Sequence, residues 1–488
     1  MKVLMVYPAT PDTFWSFKHV MRIISKRASI PPLGLLTVAA MLPKDWEIRL
    51  VDMNVSMLTD KQLKWADYVM VSAMIVHKEA IPELVRRCKQ MGKPLIAGGP
   101  LFTTGHADFP DIDHFVLGEA EEILPQLVED MRHATVHKTY IAQTRPDISA
   151  SPSPRWDLIN FKHYANMAVQ FSRGCPFDCE FCDIIIMNGR VPRAKAPAQL
   201  VGELEELRIR GWKGAVFIVD DNFIGNKIKA KALLLEIIQW RERTRAVIKF
   251  LTEASVNLAD DPELCELMVS AGFDRVFLGI ETPSVESLTE CGKHQNCKRD
   301  LVETVTIIQK AGLEVMAGFI VGFDSDKADI FGQLYRFIQS SGVVTAMVGL
   351  LNALPQTRLH SRLQKEGRLV AGSCGNNTEM NFIPKLNLEF LIDGYREIVK
   401  KLYEPGNYYQ RIFTFLEHYQ PPRIRLRISR SDLQAFVKSF WFLGFRYRGR
   451  IAYWKFFITM LLRRPRHFHK GIELAIVGFH FRRVANLI

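Results

Sequence analysis

Residues 171–183 read FSRGCPFDCEFCD and set Cys175, Cys179 and Cys182 at the spacing C-x3-C-x2-C. The run Ala168–Ser172 just before them has the make-up of a β-strand, so the three thiols sit on a loop at its carboxyl end. A [4Fe–4S] cube has four irons and usually takes four cysteines. Three local ligands leave one iron open to a ligand that is not protein, much as a catalytic zinc keeps an open position. A zinc knuckle is the structural alternative, but no Cys or His lies between Cys182 and Cys265 to complete it. A disulfide is the other. Against it, the opening MKVLMVYP has too short an apolar run for a secretory signal and reads as a first strand, which suits a reducing cytoplasm.

Outward from this loop, strands and helices alternate. Strands are expected at Ala168–Ser172, Ala215–Asp220, Lys249–Glu253, Arg275–Gly279, Glu314–Val321 and Thr345–Leu350. Helices fit Ala198–Arg210, Lys229–Arg241, Asp261–Ala271, Asp300–Ala311 and Ile330–Ser340. Six βα units are two short of a closed barrel, so residues 165–377 are expected to form a partial (β/α)6 barrel with its chemistry at the strands' carboxyl ends. Those ends carry Asp221, Glu253, Glu281 and Gly322. Each carboxylate is a ligand contact or a cap on the next helix. Arg190, Arg193 and Lys195 follow the cysteine loop as counter-charges for an anionic cluster, or as solvated loop charge. Cys265 reads as core, and Cys291, Cys297 and Cys374 are scattered.

Upstream, residues 1–140 show a second βα series. Strands are expected at Val3–Tyr7, Glu47–Asp52, Tyr68–Ser72, Pro94–Ala97 and His114–Leu117, with helices at Pro32–Leu42, Ile81–Met91 and Glu121–Met131. This alternation implies a doubly wound parallel sheet of Rossmann-like type. Ligands of such sheets bind beyond the strands' carboxyl ends. Here those loops hold Thr10, Ser72, Ala73, Gly98, Gly99, Gly118 and Glu119. A Pro- and Ser-rich stretch makes residues 141–164 a linker or a packed strap.

The net charge of +12 is unevenly placed. Residues 421–488 hold 15 Lys/Arg against 2 Asp/Glu, while the rest of the chain is nearly balanced at 49 against 50. Residues 378–488 therefore read as a helical extension ending in a basic tail that also holds thirteen aromatics. Such a tail fits a membrane surface, a packed helical cap, or a nucleic-acid or protein partner. No run of 18 uncharged apolar residues is present, so no spanning helix is expected.

The cysteine loop, with Phe181 before its last Cys, resembles the signature of the radical S-adenosylmethionine (SAM) superfamily. The resemblance narrows on PPLGLLTVAAMLP, AGGPLFT, GEAEEILP, VDDNFIGN, TEASVNLADD, GIETPSVESL, GFIVGFDSD and ALPQTRL. Over roughly residues 1–420 the chain resembles cobalamin-dependent radical SAM methyltransferases of the hopanoid C-2 methyltransferase-like group. That resemblance implies a [4Fe–4S] cluster on Cys175, Cys179 and Cys182, and SAM chelated to the open iron. Phe181, Asp221, Glu253, Glu281 and Gly322 become candidate SAM contacts. Thr10, Ser72, Ala73, Gly98, Gly99, Gly118 and Glu119 become candidate cobalamin contacts. The implied activity is radical methylation of an unactivated carbon, on an apolar or lipid-like substrate. A peptide substrate, a cyclisation or rearrangement without methyl transfer, and a non-enzymatic RNA-binding role are the alternatives. An electron donor such as flavodoxin or ferredoxin is implied, in the cytoplasm or at the membrane surface, and nucleic acid is not an expected partner. The chain departs from the best-known cobalamin pattern, Asp-x-His-x-x-Gly, because its first loop reads Pro8-Ala9-Thr10-Pro11-Asp12-Thr13. His77 is the alternative axial group, or a polar loop residue.

Overall fold

The computed structural model describes residues 1–370, 379–421 and 430–488. Cys374, the start of the expected extension at residue 378 and part of the basic tail lie outside the described residues.

The first strand shows why the amino-terminal sheet is covered on both sides. In Lys2–Tyr7 (β1), Val3 and Met5 pack into one apolar cluster and Leu4 and Val6 into another. A run apolar at every position is what a strand buried on both faces needs. It pairs in parallel with Glu47–Asp52 (β2) and Tyr68–Ser72 (β3). Leu95–Gly98 (β4), His114–Leu117 (β5) and Thr139–Ile141 (β6) extend the sheet in the order β2-β1-β3-β4-β5-β6. The sixth strand escapes the sequence reading: three residues on a sheet edge, of which only Tyr140 is buried, carry no periodic signal. After it the Pro-rich stretch is a packed strap, with Ile148, Ser151 and Trp156 all buried.

The second sheet is also parallel. Asn166–Val169 (β7) stops short of the expected strand end, and Ser172–Arg173 (β8) pairs antiparallel with Arg193–Ala194 (β9) to bracket the cysteine loop. Ala215–Ile218 (β10), Phe250–Ala254 (β11), Phe273–Glu281 (β12), Glu314–Val321 (β13) and Ala346–Leu350 (β14) complete it in the order β14-β13-β12-β11-β10-β7. The two edge strands do not pair, so the barrel is open along one seam.

The chain's two extremities bridge that seam. Tyr403 donates to the Ala346 carbonyl of β14 (2.5 Å) and stacks on Phe481 (5.0 Å between centroids). Phe481 packs on Phe14, and the buried His480 lies 3.1 Å from the Thr13 and Phe14 carbonyls. The Ala165 amide beside β7 donates to the Ala28 carbonyl. At the strands' amino ends, Arg275 and Glu314 pair with Glu473 and Lys470, both at 2.6 Å. The helix Phe468–Ala485 is therefore core, even though it belongs to the basic tail. Composition hides this, because Lys470 and Arg482 are buried against protein partners.

Candidate active site at the barrel mouth

The cysteine loop is held by the strand next to it. Asp220, at the carboxyl end of β10, is buried and accepts from the amides of Phe171 (2.7 Å) and Ser172 (2.9 Å) and from the Ser172 hydroxyl (2.6 Å). Burial outweighs those donors and pushes its carboxyl up to about 7. Asp221 accepts from the Gly174 amide (2.7 Å) and from Asn188 Nδ2 (2.9 Å). Gly174 has φ +101°, and a Cβ there would lie 2.9 Å from the Gly189 carbonyl, so only glycine makes this turn. The Cys175 amide then donates to Gly189 O (3.1 Å), and the Glu180 amide to Cys291 O (2.8 Å). Arg362 clamps the Glu180 carboxylate at 2.8 Å, and Arg358 reaches the Asp178 carbonyl at 2.5 Å. Phe181 faces Phe323 at 6.1 Å and joins an apolar cluster with Cys291 and Leu351.

Burial raises the pKa of all three thiols, and the charge of Cys175 adds to the rise at Cys179 and Cys182. Cationic irons reverse that preference, because metal binding stabilises the thiolate. Among the described residues no three His, Cys, Asp or Glu side chains converge on one point as a single-ion site. A cube differs from such a site in setting each thiolate on a separate iron, so three thiols on one short loop fit it. Asn222 Nδ2 approaches Cys175 Sγ at 3.8 Å and donates to Ser255 Oγ at 3.2 Å. Asn222 belongs to the polar strand end at residues 220–223, but its approach to Cys175 is not visible in sequence.

The strand-end candidates have different surroundings. Glu281 lies at φ +67°, where β12 and β13 slip register, and its carboxylate pairs with buried Lys293. Neither side chain is more than 10% exposed. Gly279 makes room for the pair: a Cβ there would stand 2.6 Å from both Glu281 Oε1 and Lys293 Nζ. Lys293 also acts electrostatically on Cys175 and Cys179, offsetting part of the rise that burial imposes on both thiols. Gly322, at φ +105°, donates its amide to Asp326 (2.8 Å). Glu253 stands apart. Its half-buried carboxylate has no hydrogen-bond partner among the described residues, and burial pushes it up to about 7. It is the carboxylate left available for an ammonium or a ribose hydroxyl. The cations after the loop are largely committed elsewhere. Arg193 binds Glu119 and the Pro146 carbonyl (both 2.5 Å), and Lys195 binds buried Glu203 (2.5 Å).

The first sheet turns its strand ends to the same place. Glu119, after β5, binds Arg173 (2.6 Å) and Arg193, and Glu121 binds Arg173 at 2.8 Å. Arg173 is two residues from Cys175, so the two sheets meet at the cysteine loop. Gly98 and Gly99 leave the backbone bare after β4. A Cβ on Gly99, at φ +96°, would lie 2.7 Å from Ser72 Oγ and about 3.1 Å from the Ala73 carbonyl. Gly118, at φ +93°, takes Thr103 Oγ1 on its amide (3.1 Å). A corrin has a broad face, and side-chain-free loops at strand ends fit its approach. His77 is buried, not a surface group. Its Nδ1 accepts from the Met74 amide (3.1 Å), so its Nε2–H faces Thr10 Oγ1 (3.2 Å), and burial lowers its pKa to about 4. Both ring nitrogens are in use within the protein.

Three family models match the chain: the B12 binding domain over residues 22–128, the Radical SAM superfamily over 169–338, and a domain of unknown function over 357–488. An uncharacterized methyltransferase of Synechocystis sp. is 41% identical over 100% of this chain and 92% of its own length. The hopanoid C-2 methylase of Rhodopseudomonas palustris is 33% identical over 95% of this chain and 90% of its own. Among solved structures, the radical SAM methyltransferase TsrM from Kitasatospora setae, with cobalamin and a [4Fe–4S] cluster bound, shares the fold. It has a TM-score of 0.67 at 15% identity, covering 98% of this chain and 99% of that one. Three cysteines on one loop at a barrel mouth, a facing sheet with bare strand ends and relatives along the whole chain agree, and the chain belongs to the cobalamin-dependent radical SAM methyltransferases.

Proposed function

We propose that this enzyme methylates an unactivated carbon of an apolar, polycyclic lipid of hopanoid type. The supporting observation is the inner wall of the barrel. Phe217, Leu251, Phe277 and Met316 alternate along their strands with fully buried neighbours that face the helices. These four therefore point inward, and each keeps part of its surface accessible. A closed barrel fills this space with layered side chains. Here the wall is only partly covered, and Trp15 lies on Phe277 at 4.9 Å while staying 45% exposed. Aromatic and aliphatic walls suit an apolar substrate. The hopanoid methylase relative supports the same class.

When bound, SAM on the cluster and methylcobalamin supply a hydrogen-abstracting radical and a methyl group. The chain's own residues position and shield. Cys175, Cys179 and Cys182 hold the cluster, and Asp220, Asp221 and Arg362 fix the loop that carries them. Glu253 takes a polar group of SAM, with Phe181 and Gly322 beside the same mouth. The loops at Thr10, Ser72–Ala73, Gly98–Gly99 and Gly118 seat cobalamin, and Glu119 locks that edge to the barrel. The apolar wall keeps water from the reacting carbon. A flavodoxin- or ferredoxin-type protein would be the electron donor. Domain limits of 1–140, 165–377 and 378–488 belong to this reading, with 141–164 as the strap between them. Peripheral contact with a membrane belongs to it too, because the substrate resides there.

Reduced enzyme supplied with a pentacyclic hopene, SAM and cobalamin is expected to release 5′-deoxyadenosine and S-adenosylhomocysteine together and a hopene one methylene heavier. 5′-Deoxyadenosine without S-adenosylhomocysteine would point to radical rearrangement or cyclisation instead. Trp15→Ala is expected to raise the KM for that lipid by about tenfold, the scale of losing one large aromatic contact. Iron and cobalamin content should not change. An unaltered KM would remove Trp15 from the substrate wall.

A further inference from the structure

The tail divides into two parts with different surroundings. The helix Phe468–Ala485 is core, but the hairpin before it, Arg430–Trp441 and Arg450–Arg463, keeps an apolar stripe in solvent on each helix. On the first, Leu433, Val437 and Trp441 recur every four residues and, with Phe445 in the segment Phe442–Arg446 that follows, are each 52–60% exposed. On the second, Ile451, Ile458 and Leu462 are 51–80% exposed. At 100° per residue each stripe lies opposite that helix's buried side, marked by Ser439 on one and by Tyr453, Phe456 and Met460 on the other. The helices pack on each other through Phe440, Trp454 and Phe457, so both stripes face away from the protein body. The charge around them has one sign. Residues 433–472 contain no Asp or Glu, and Arg446, Arg448, Arg450, Lys455, Arg463 and Arg466 are exposed.

We infer that this hairpin lies on an anionic lipid bilayer, its apolar stripes entering the headgroup region and its cations meeting lipid phosphates. The inference rests on the proposed lipid substrate for its purpose and on the hairpin alone for its physics. Exposed Trp, Phe, Ile and Leu with surrounding Lys and Arg form the composition of an interfacial helix, whose binding adds buried apolar area to attraction by anionic lipid. Uniform positive charge around exposed apolar stripes favours an anionic surface that also admits apolar side chains, as a bilayer of anionic lipid does. Among the described residues no helix is long and apolar enough to cross a membrane, so contact through this face is peripheral.

The test is co-flotation of the full-length holoenzyme with vesicles of phosphatidylcholine alone or with phosphatidylglycerol added. Binding is expected only with the anionic lipid, and to weaken as salt rises. Trp441→Ser with Ile458→Ser should weaken it about tenfold or more, and Arg446→Gln with Lys455→Gln by a similar factor, since each cation near the surface contributes about a fivefold change. Cleavage of SAM in detergent-free solution should be the same in all variants, which separates this inference from the proposed chemistry. Equal flotation of variants and wild type, or tight salt-sensitive binding of single-stranded RNA without vesicle binding, would overturn it.

Discussion

Cys179→Ala enzyme is expected to release no measurable 5′-deoxyadenosine from SAM and to hold well below the about four irons per chain of a filled cube. The loop itself should survive. The Cys182 amide donates to the Cys179 carbonyl, which alanine keeps, and neighbouring backbone bonds to Gly189 and Cys291 do not involve the Cys179 side chain. Cobalamin content and thermal unfolding of the apoprotein should therefore match the wild type. Cys265→Ala is the control. Cys265 is buried on the helix Pro262–Ala271, and among the described residues its thiol reaches only the Leu258 carbonyl at 3.6 Å. Loss of that small core thiol should leave cluster and cleavage intact, at a cost of about 1 kcal/mol in stability. Retention of four irons and cleavage in Cys179→Ala would remove this cysteine from the ligand set.

Lys293→Met should destabilise the protein by about 3–5 kcal/mol, because it leaves the Glu281 carboxylate buried and uncompensated. The strain is local: Glu281 is held at φ +67° beside a register slip, and Gly279 is shaped around the pair. The double variant Glu281→Gln with Lys293→Met should recover most of that loss, since no lone charge remains. Its function should not recover. Lys293 offsets part of the rise that burial imposes on the nearby Cys179 thiol and outweighs the opposing charge of Glu281, so the double variant should fold yet show a shifted cluster reduction potential and slower SAM cleavage. Chemical denaturation followed by redox titration reads both effects. A double variant with unchanged potential would make the pair purely structural.

The architecture was legible where periodicity was strong. Apolar runs such as Val3–Tyr7 and Glu314–Val321 marked strands, and the thiol spacing marked the loop between them. What escaped depends on contacts across long sequence distances. The six-residue helix Lys18–Ile23 and the turn at Phe14–Ser16 form against Phe481 and His480 at the other end of the chain, so no local pattern announces them. The short strand Thr139–Ile141 is fixed by its neighbour β5. At the site, chemistry-bearing residue types were visible but their partners were not. Asp221 holds Gly174, Glu281 holds Lys293, and Glu119 holds two arginines, whereas Glu253 has no partner among the described residues. A carboxylate at a strand end looks the same in sequence in all four cases. The tail misleads by composition: its buried Lys470 and Arg482 count toward net charge as fully as the exposed cations of the hairpin.

Cys175, Cys179 and Cys182 would hold a cluster that supplies radical cleavage of SAM, and the strand-end loops of the first sheet would hold the cobalamin that supplies the methyl group. The most direct measurement is product stoichiometry from reduced, anaerobically reconstituted wild-type enzyme with a hopene substrate. The account predicts 5′-deoxyadenosine, S-adenosylhomocysteine and methylated product rising together in equal amounts. S-adenosylhomocysteine and methylated product without any 5′-deoxyadenosine would contradict it.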